Sequence, residues 1–408
     1  MARINPHYAT LQGGYLFPEI ARRTKAYLEQ YPGVKLMRLG IGNTTEPLTP
    51  TIVQAMTEKV QQLGTREGYK GYGDEQGETG LREALATYYS QFVSLDPSEF
   101  FISDGAKCDV ANVGSLFSDD SIIAVEDPAY PVYVDSNVIA GRTGKFMKDT
   151  NQYLRIVYMP CKPENGFFPA LPKEEVDIIY LCRPNNPTGA TATVAQLQPF
   201  VDYALGRKVV LIYDAAYAFY QKDPALVRTI YQVPGAEHCA IEISSCSKWA
   251  GFTGVRLGWA IVSKALVAAN SIPGELHAMW NRRQCTMFNG ASNIAQAGGL
   301  AALTAQGQIE SQELVDYYMG NAEIIRCGLA RKGLKFYGGT DAPFVWVETP
   351  GKMPSWEFFD KLLEEAHVVC TPGAGFGPSG EGFIRLSAFG HTEDIAEAVA
   401  SIQQNLQL

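Results

Sequence analysis

The chain has 408 residues, 46% of them hydrophobic and 19% charged, with a formal net charge of −9. It is long enough for more than one core and too apolar to be disordered, and its acidic balance argues against a nucleic-acid partner. No run approaches the ~20 apolar residues of a membrane helix, and MARINPHYATLQGG lacks the apolar core of a signal peptide, so a soluble, unexported, cytoplasmic chain is expected.

In chain order, the first element is the amphipathic PEIARRTKAYLEQY, closed by Pro32-Gly33. From residue 98 to 263, short apolar runs alternate with helix-like segments: FFIS, SIIAVED, IVYMP, VDIIYLC, KVVLIYD, CAIEISS and LGWAIVS. Several are continuously apolar, which predicts an α/β fold whose mostly parallel sheet is covered by helices on both faces. Ligands then gather at the C-terminal ends of the strands.

The tail carries a long helical stretch from Ser311 to Lys332, then strand-like FVWVE, helical SWEFFDKLLEEAH and strand-like GFIRLSAF, the pattern of a smaller α+β unit. The expected division is an N-terminal segment 1–48 packing with the small domain, a large domain 49–299, and a small domain 300–408. The eight cysteines form no CxxC pair, so buried thiols are expected rather than disulfides or a metal site.

Five segments carry candidate chemistry. SDGAKCD follows the strand FFIS and opens a helix, so the amides of Gly105, Ala106 and Lys107 can face an anion. Tyr130, in DPAYPVY, can stack on a planar ring or simply pack beside its prolines. CRPNNPTGA ends a strand in a turn that presents Asn186, although such a sequence is also an ordinary turn. KVVLIYD ends in Asp214, with Tyr217 just beyond; a carboxylate there either caps the next turn or needs a cationic partner such as a protonated ring nitrogen.

The most informative segment is SSCSKWAGFTGVRLGW. Lys248 supplies an amine for a Schiff base, and Ser245, Ser247 and Arg256 supply donors for a phosphate; in isolation such a lysine is also a solvated loop residue.

In this order the five segments resemble the fold type I aminotransferases, the pyridoxal-phosphate enzymes of class I and II, and the similarity runs over essentially the whole chain. NPHYATLQGGYLF, LGIGNTTEPL, YKGYGDEQG, FISDGAKCD, CKPENGFFP and MFNGAS resemble the LL-diaminopimelate aminotransferase family in particular. The resemblance implies that Asp214 pairs with the pyridinium nitrogen, Asn186 and Tyr217 hold the phenolate, and Tyr130 stacks on the ring. It assigns the phosphate to Ser245, Ser247, Arg256 and the Gly105-Ala106 amides.

For the substrate it implies an α-carboxylate clamp at Arg385 and contacts from Tyr15, Gly42, Lys107 and Asn289; from the partner of a homodimer with shared sites, Glu75 reaches the substrate and Tyr72 the cofactor. Arg385 read alone is equally an ordinary ion-pair residue. The implied reaction is transamination between LL-2,6-diaminopimelate and 2-oxoglutarate, with no metal. Aminotransferases for aspartate, alanine or aromatic amino acids, and lyases on the same fold, stay open. A catalytically silent binding protein is disfavoured because Lys248, Asp214 and Arg385 are all present, and a dehydrogenase because no GxGxxG follows the first strand of the sheet. The sequence departs from the family at Cys246, where an aromatic is common, and at the bulky Trp249.

Overall fold

The computed structural model describes residues 1–11 and 16–408. At its centre lies a seven-stranded sheet in the order Phe100–Ser103, Gly258–Val262, Ala240–Ser245, Val210–Asp214, Ile178–Cys182, Ile123–Asp127, Ile156–Pro160. All seven apolar runs of the sequence are strands of this one sheet. Five of them form a parallel series, and Gly258–Val262 runs antiparallel to both of its neighbours.

Ile178–Cys182, Val210–Asp214 and Ala240–Ser245 are buried at every position, because cores lie on both faces of the sheet. One inward polar group, Glu242, accepts from Tyr89 Oη, Thr229 Oγ1 and the Ile230 amide at 2.7–2.8 Å. Those three donors compensate a carboxyl that burial pushes up to about 7.

The smaller sheet has the order Phe336–Gly338, Phe344–Glu348, Phe383–Ser387, Thr371–Pro372 and is antiparallel throughout. The 28-residue helix Ala305–Lys332 leads into it. Thr304 caps the start of that helix by accepting from the Gly307 amide, and Gly333, at φ 81°, ends it in the left-handed conformation that glycine tolerates best. The N-terminal segment joins the small sheet's side of the molecule: Met37–Arg38 pairs in parallel with Val368–Val369, and the Leu39 carbonyl accepts from the Ser387 amide at 2.6 Å. Among the described residues no helix is long and apolar enough to cross a membrane.

The expectation of uniformly buried thiols needs correction. Cys161, Cys182, Cys239, Cys246 and Cys370 are buried, but Cys285 and Cys327 are exposed on helix surfaces and Cys108 is half-buried. Apolar neighbours in sequence do not assign a helical residue to the inner face.

Candidate active site

The C-terminal ends of the parallel strands meet the small sheet around a cavity of about 380 Å³. Its lining includes Gly42, Ala106, Lys107, Tyr130, Asn186 and Asp214, and also Tyr217, Ser245, Ser247, Lys248, Arg256 and Arg385. Twelve candidate residues scattered over more than 300 positions of sequence are thus brought to one place.

Strand Val210–Asp214 delivers Asp214, 7% exposed, to the cavity floor. Its carboxylate accepts from Tyr133 Oη at 2.8 Å and from the Ala216 amide at 3.0 Å. Burial raises its pKa, opposed by these two donors and by the Lys248 ammonium. Lys248 lies beyond the end of strand Ala240–Ser245, and its Nζ donates to the Gly42 carbonyl. Burial pushes this amine down to about 8; the Arg385 and Arg256 cations push the same way and Asp214 opposes them. Near neutrality a useful fraction of Lys248 is therefore the free base.

Arg385 comes from strand Phe383–Ser387 and is 2% exposed. Its guanidinium lies over the rings of Phe344 and Phe376, at 4.4 and 5.0 Å, and donates to Asn186 Oδ1 at 2.6 Å and to the Gly40 carbonyl at 2.7 Å. Burial lowers its pKa to about 10. Among the described residues no carboxylate pairs with it, and its Nε has no hydrogen-bond partner. A buried cation with only neutral acceptors is poised for an anionic ligand.

Asn186 is held by the turn that contains it. Asn185 Oδ1 accepts from the Thr188 amide and hydroxyl at 3.1 and 2.9 Å, while buried Glu126 accepts from the Cys182 amide and Asn185 Nδ2 and pairs with Arg183. With Asn186 Oδ1 occupied by Arg385, its amide nitrogen is the group left for a ligand.

At the opposite end, Gly105 precedes helix Ala106–Val113 at φ 124°. A Cβ on Gly105 would collide with the Arg256 guanidinium, and one on Gly258 would lie 2.6 Å from the Gly105 Cα. Arg256 adopts φ 69°, uncommon for a side-chain-bearing residue, and donates to Ser247 Oγ at 3.3 Å. Ala106 and Lys107 begin the helix, so their amides precede the first residue that can bond within it. The Gly105 amide departs from the expectation: it donates to Ser103 Oγ at 3.3 Å, and Ser103 in turn donates to buried Asp109. Lys107 is exposed at the rim, its Nζ 5.8 Å from the centre of the Tyr130 ring.

Besides Gly105, three expected contacts are absent from the lining. Tyr72 is 91% exposed, Asn289 is also exposed and Glu75 is half-buried, and none of them faces the cavity of its own chain. Gly290 lies against Asp74 and Glu75, so these positions cluster together elsewhere on the surface. Tyr15 lies outside the described residues. Cys246 is buried on the side of Leu257 and Gly299, and Trp249 stacks on Phe219 at 4.1 Å while donating to the Ser245 carbonyl, so both unusual side chains pack behind the lysine loop. Sequence reasoning missed Tyr133 and Glu126; the only trace of Tyr133 was a second tyrosine one helical turn after Tyr130.

The family model "Aminotransferase class I and II" matches residues 34–402. Two relatives from strains of Bacteroides fragilis, both named LL-diaminopimelate aminotransferase, are 47% identical over the whole of both chains. The solved L,L-diaminopimelate aminotransferase from Chlamydomonas reinhardtii is 50% identical, with a TM-score of 0.94 over 100% of this chain and 99% of that one. BacF from Bacillus subtilis is more distant, at 26% identity and a TM-score of 0.83 over 99% of this chain and 98% of that one. Convergence of lysine, aspartate and arginine on one cavity, together with matches along the full chain, leads to one assignment: this chain belongs to the class I and II aminotransferases.

Proposed function

We propose that the protein transfers an amino group between LL-2,6-diaminopimelate and 2-oxoglutarate, giving tetrahydrodipicolinate and glutamate, and that it runs in the reverse direction in lysine and diaminopimelate biosynthesis. The observation that carries the reaction type is a lysine amine held near pKa 8 in the same cavity as a buried strand-end carboxylate and an arginine without a counter-ion. Full-length identity near one half to proteins named for this activity supports the substrate.

The residues fit pyridoxal phosphate, the cofactor of this family. The pocket beside Gly105 and Arg256 has no room for a Cβ, which brings backbone amides, serine hydroxyls and a guanidinium together as a phosphate cup. When bound, this cofactor supplies an aldehyde carbon and an electron-accepting ring. Ser245, Ser247, Arg256 and the Gly105, Ala106 and Lys107 amides hold its phosphate, Asp214 its ring nitrogen, Asn186 and Tyr217 its phenolate oxygen, and Tyr130 covers one face. Arg385 clamps the substrate α-carboxylate with its planar fork, which orients the α-hydrogen towards Lys248. Lys248 then takes that proton at Nζ and delivers it to the carbon that receives the amino group.

Tyr15, Gly42, Lys107 and Asn289 contact the substrate, Lys107 at its distal carboxylate; Tyr72 and Glu75 reach in from the partner subunit of a homodimer, Tyr72 to the cofactor and Glu75 to the distal ammonium. Exposure of Tyr69, Tyr72, Met279 and Met287 supports a surface that a second copy covers. Residues 49–299 form the cofactor-binding unit, and 300–408 with 1–48 the smaller unit that carries Arg385.

The test is the visible absorption of the reconstituted protein before and after LL-diaminopimelate, with Lys248→Ala as control. Discharge of the band by this substrate in the wild type alone is expected. Discharge only by aspartate, alanine or an aromatic amino acid would overturn the substrate, and no band would overturn the cofactor.

A further inference from the structure

We infer that Tyr133 is a positioning residue for the reaction: by donating a hydrogen bond to Asp214, it keeps the proton shared between that carboxylate and the cofactor's ring nitrogen on the nitrogen. The inference rests on the cofactor reading above.

The geometry is specific to one oxygen. Tyr133 Oη donates to Asp214 Oδ2 at 2.8 Å, and the Ala216 amide donates to Oδ1 at 3.0 Å. Tyr133 is 2% exposed and is fixed from several sides. Its ring stacks on Tyr180 at 5.5 Å and 20°, and meets Tyr130 edge-on at 6.1 Å. Asn137 Nδ2 donates both to the Tyr133 carbonyl at 2.8 Å and to the Tyr180 hydroxyl at 3.2 Å, which locks the helix Val132–Ile139 against the sheet. The hydroxyl therefore has a fixed direction.

Chemistry gives that direction a purpose. A carboxylate in this buried setting has a raised proton affinity, and facing a pyridinium it could take the proton and leave the ring neutral. A neutral ring accepts electrons from the α-carbon less well. Each hydrogen bond donated to the carboxylate lowers its proton affinity and opposes the transfer. Burial also holds the phenol of Tyr133 itself well above its usual range, so it stays a donor across the working pH range. The titratable groups that act on this pair are the Lys248 ammonium, the Cys182 thiol, the Tyr130 and Tyr217 phenols and the Glu242 carboxyl; burial raises the last four, so Lys248 is the cation among them.

The experiment uses the holoenzyme of Tyr133→Phe, Tyr133→His and Tyr180→Phe, titrated by the pH dependence of the visible band of the lysine-linked cofactor. In Tyr133→Phe the midpoint is expected to rise by about 0.5–1 unit, because a less charged ring withdraws less from the linked nitrogen. Its kcat is expected to fall about tenfold with KM for the amino donor little changed. Tyr133→His, which restores a donor, should bring the midpoint back towards the wild type. Tyr180→Phe keeps the supporting ring and should leave the midpoint in place. An unchanged midpoint in Tyr133→Phe, or an equal shift in Tyr180→Phe, would overturn the role of Tyr133 while the wild-type band left the cofactor reading intact. If Tyr133→Phe does not fold, Tyr133→Met, which also lacks the hydroxyl, decides in the same titration: a raised midpoint supports the role, and a wild-type midpoint overturns it. Absence of the band in wild type would instead defeat the cofactor reading itself.

Discussion

Asp214, Ser245, Lys248 and Arg385 are enclosed by their own chain, whereas Tyr72, Glu75 and Asn289, assigned by resemblance to the same site, lie on its surface away from the cavity. The contrast separates two ways of making a site. Groups that need a shifted proton affinity sit where burial shifts it: an amine brought down to about 8 and an arginine to about 10. Groups expected to act through ordinary hydrogen bonds or charge need no such shift, and they can stand on the surface.

The enclosed half breaks most severely. Lys248→Ala should lower the transamination rate by at least about a thousandfold, read as steady-state glutamate formation, since it removes both the covalent anchor and the base. Arg385→Lys should raise KM for both substrates about a hundredfold, because an ammonium cannot match a carboxylate with a planar fork. Wild-type KM in that variant would mean that the buried guanidinium does not hold substrate.

The surface half is tested by complementation. Glu75→Ala and Lys248→Ala proteins, each inactive with diaminopimelate, should regain activity when dissociated and reassembled together. Random pairing makes about a quarter of all sites intact, one in each mixed dimer. No recovery would place Glu75 outside the shared site.

A smaller effect concerns stability without cofactor. The Lys248 pKa is lowered on folding, so its charged form penalises the native state below about 8, and the penalty fades as pH rises from there to the ordinary lysine value. Lys248→Met should thus raise the Tm of the cofactor-free protein at pH 7, with the gain shrinking above pH 8. A gain that grew with pH would contradict this sign. Smallest of all, Cys246→Ala should cost about 1 kcal/mol in denaturant unfolding with activity close to wild type, as expected of a side chain packed behind the loop.

The seven strand segments were legible because buried strands in a two-faced sheet must be apolar along their whole length, from Phe100–Ser103 to Gly258–Val262. Their order and direction were not: an apolar run has no polarity, and nothing in LGWAIVS marks it as antiparallel. In the site, Asp214 stood out as a charge ending an apolar strand and Lys248 by the serines and arginine around it, whereas Arg385 was marked only by the family resemblance. Pairings stayed hidden, since Tyr133 with Asp214, Arg385 with Asn186 and Lys248 with the Gly42 carbonyl join positions far apart in sequence. The bond of the Gly105 amide to Ser103 Oγ was hidden for a similar reason: a helix start announces donors, but not that a serine before it bonds to one.

The antiparallel strand also shapes the lysine loop. Ser245 and Gly258 are registered partners in adjacent strands, so the segment that carries Lys248 leaves and re-enters the sheet through neighbouring rungs of one ladder. Mechanically it is a handle with both ends riveted to the same plate. Trp249, stacked on Phe219 and bonded to the Ser245 carbonyl, and Cys246, packed towards Gly299, brace the loop from behind as well, so Lys248 is held along the handle and not only at its ends.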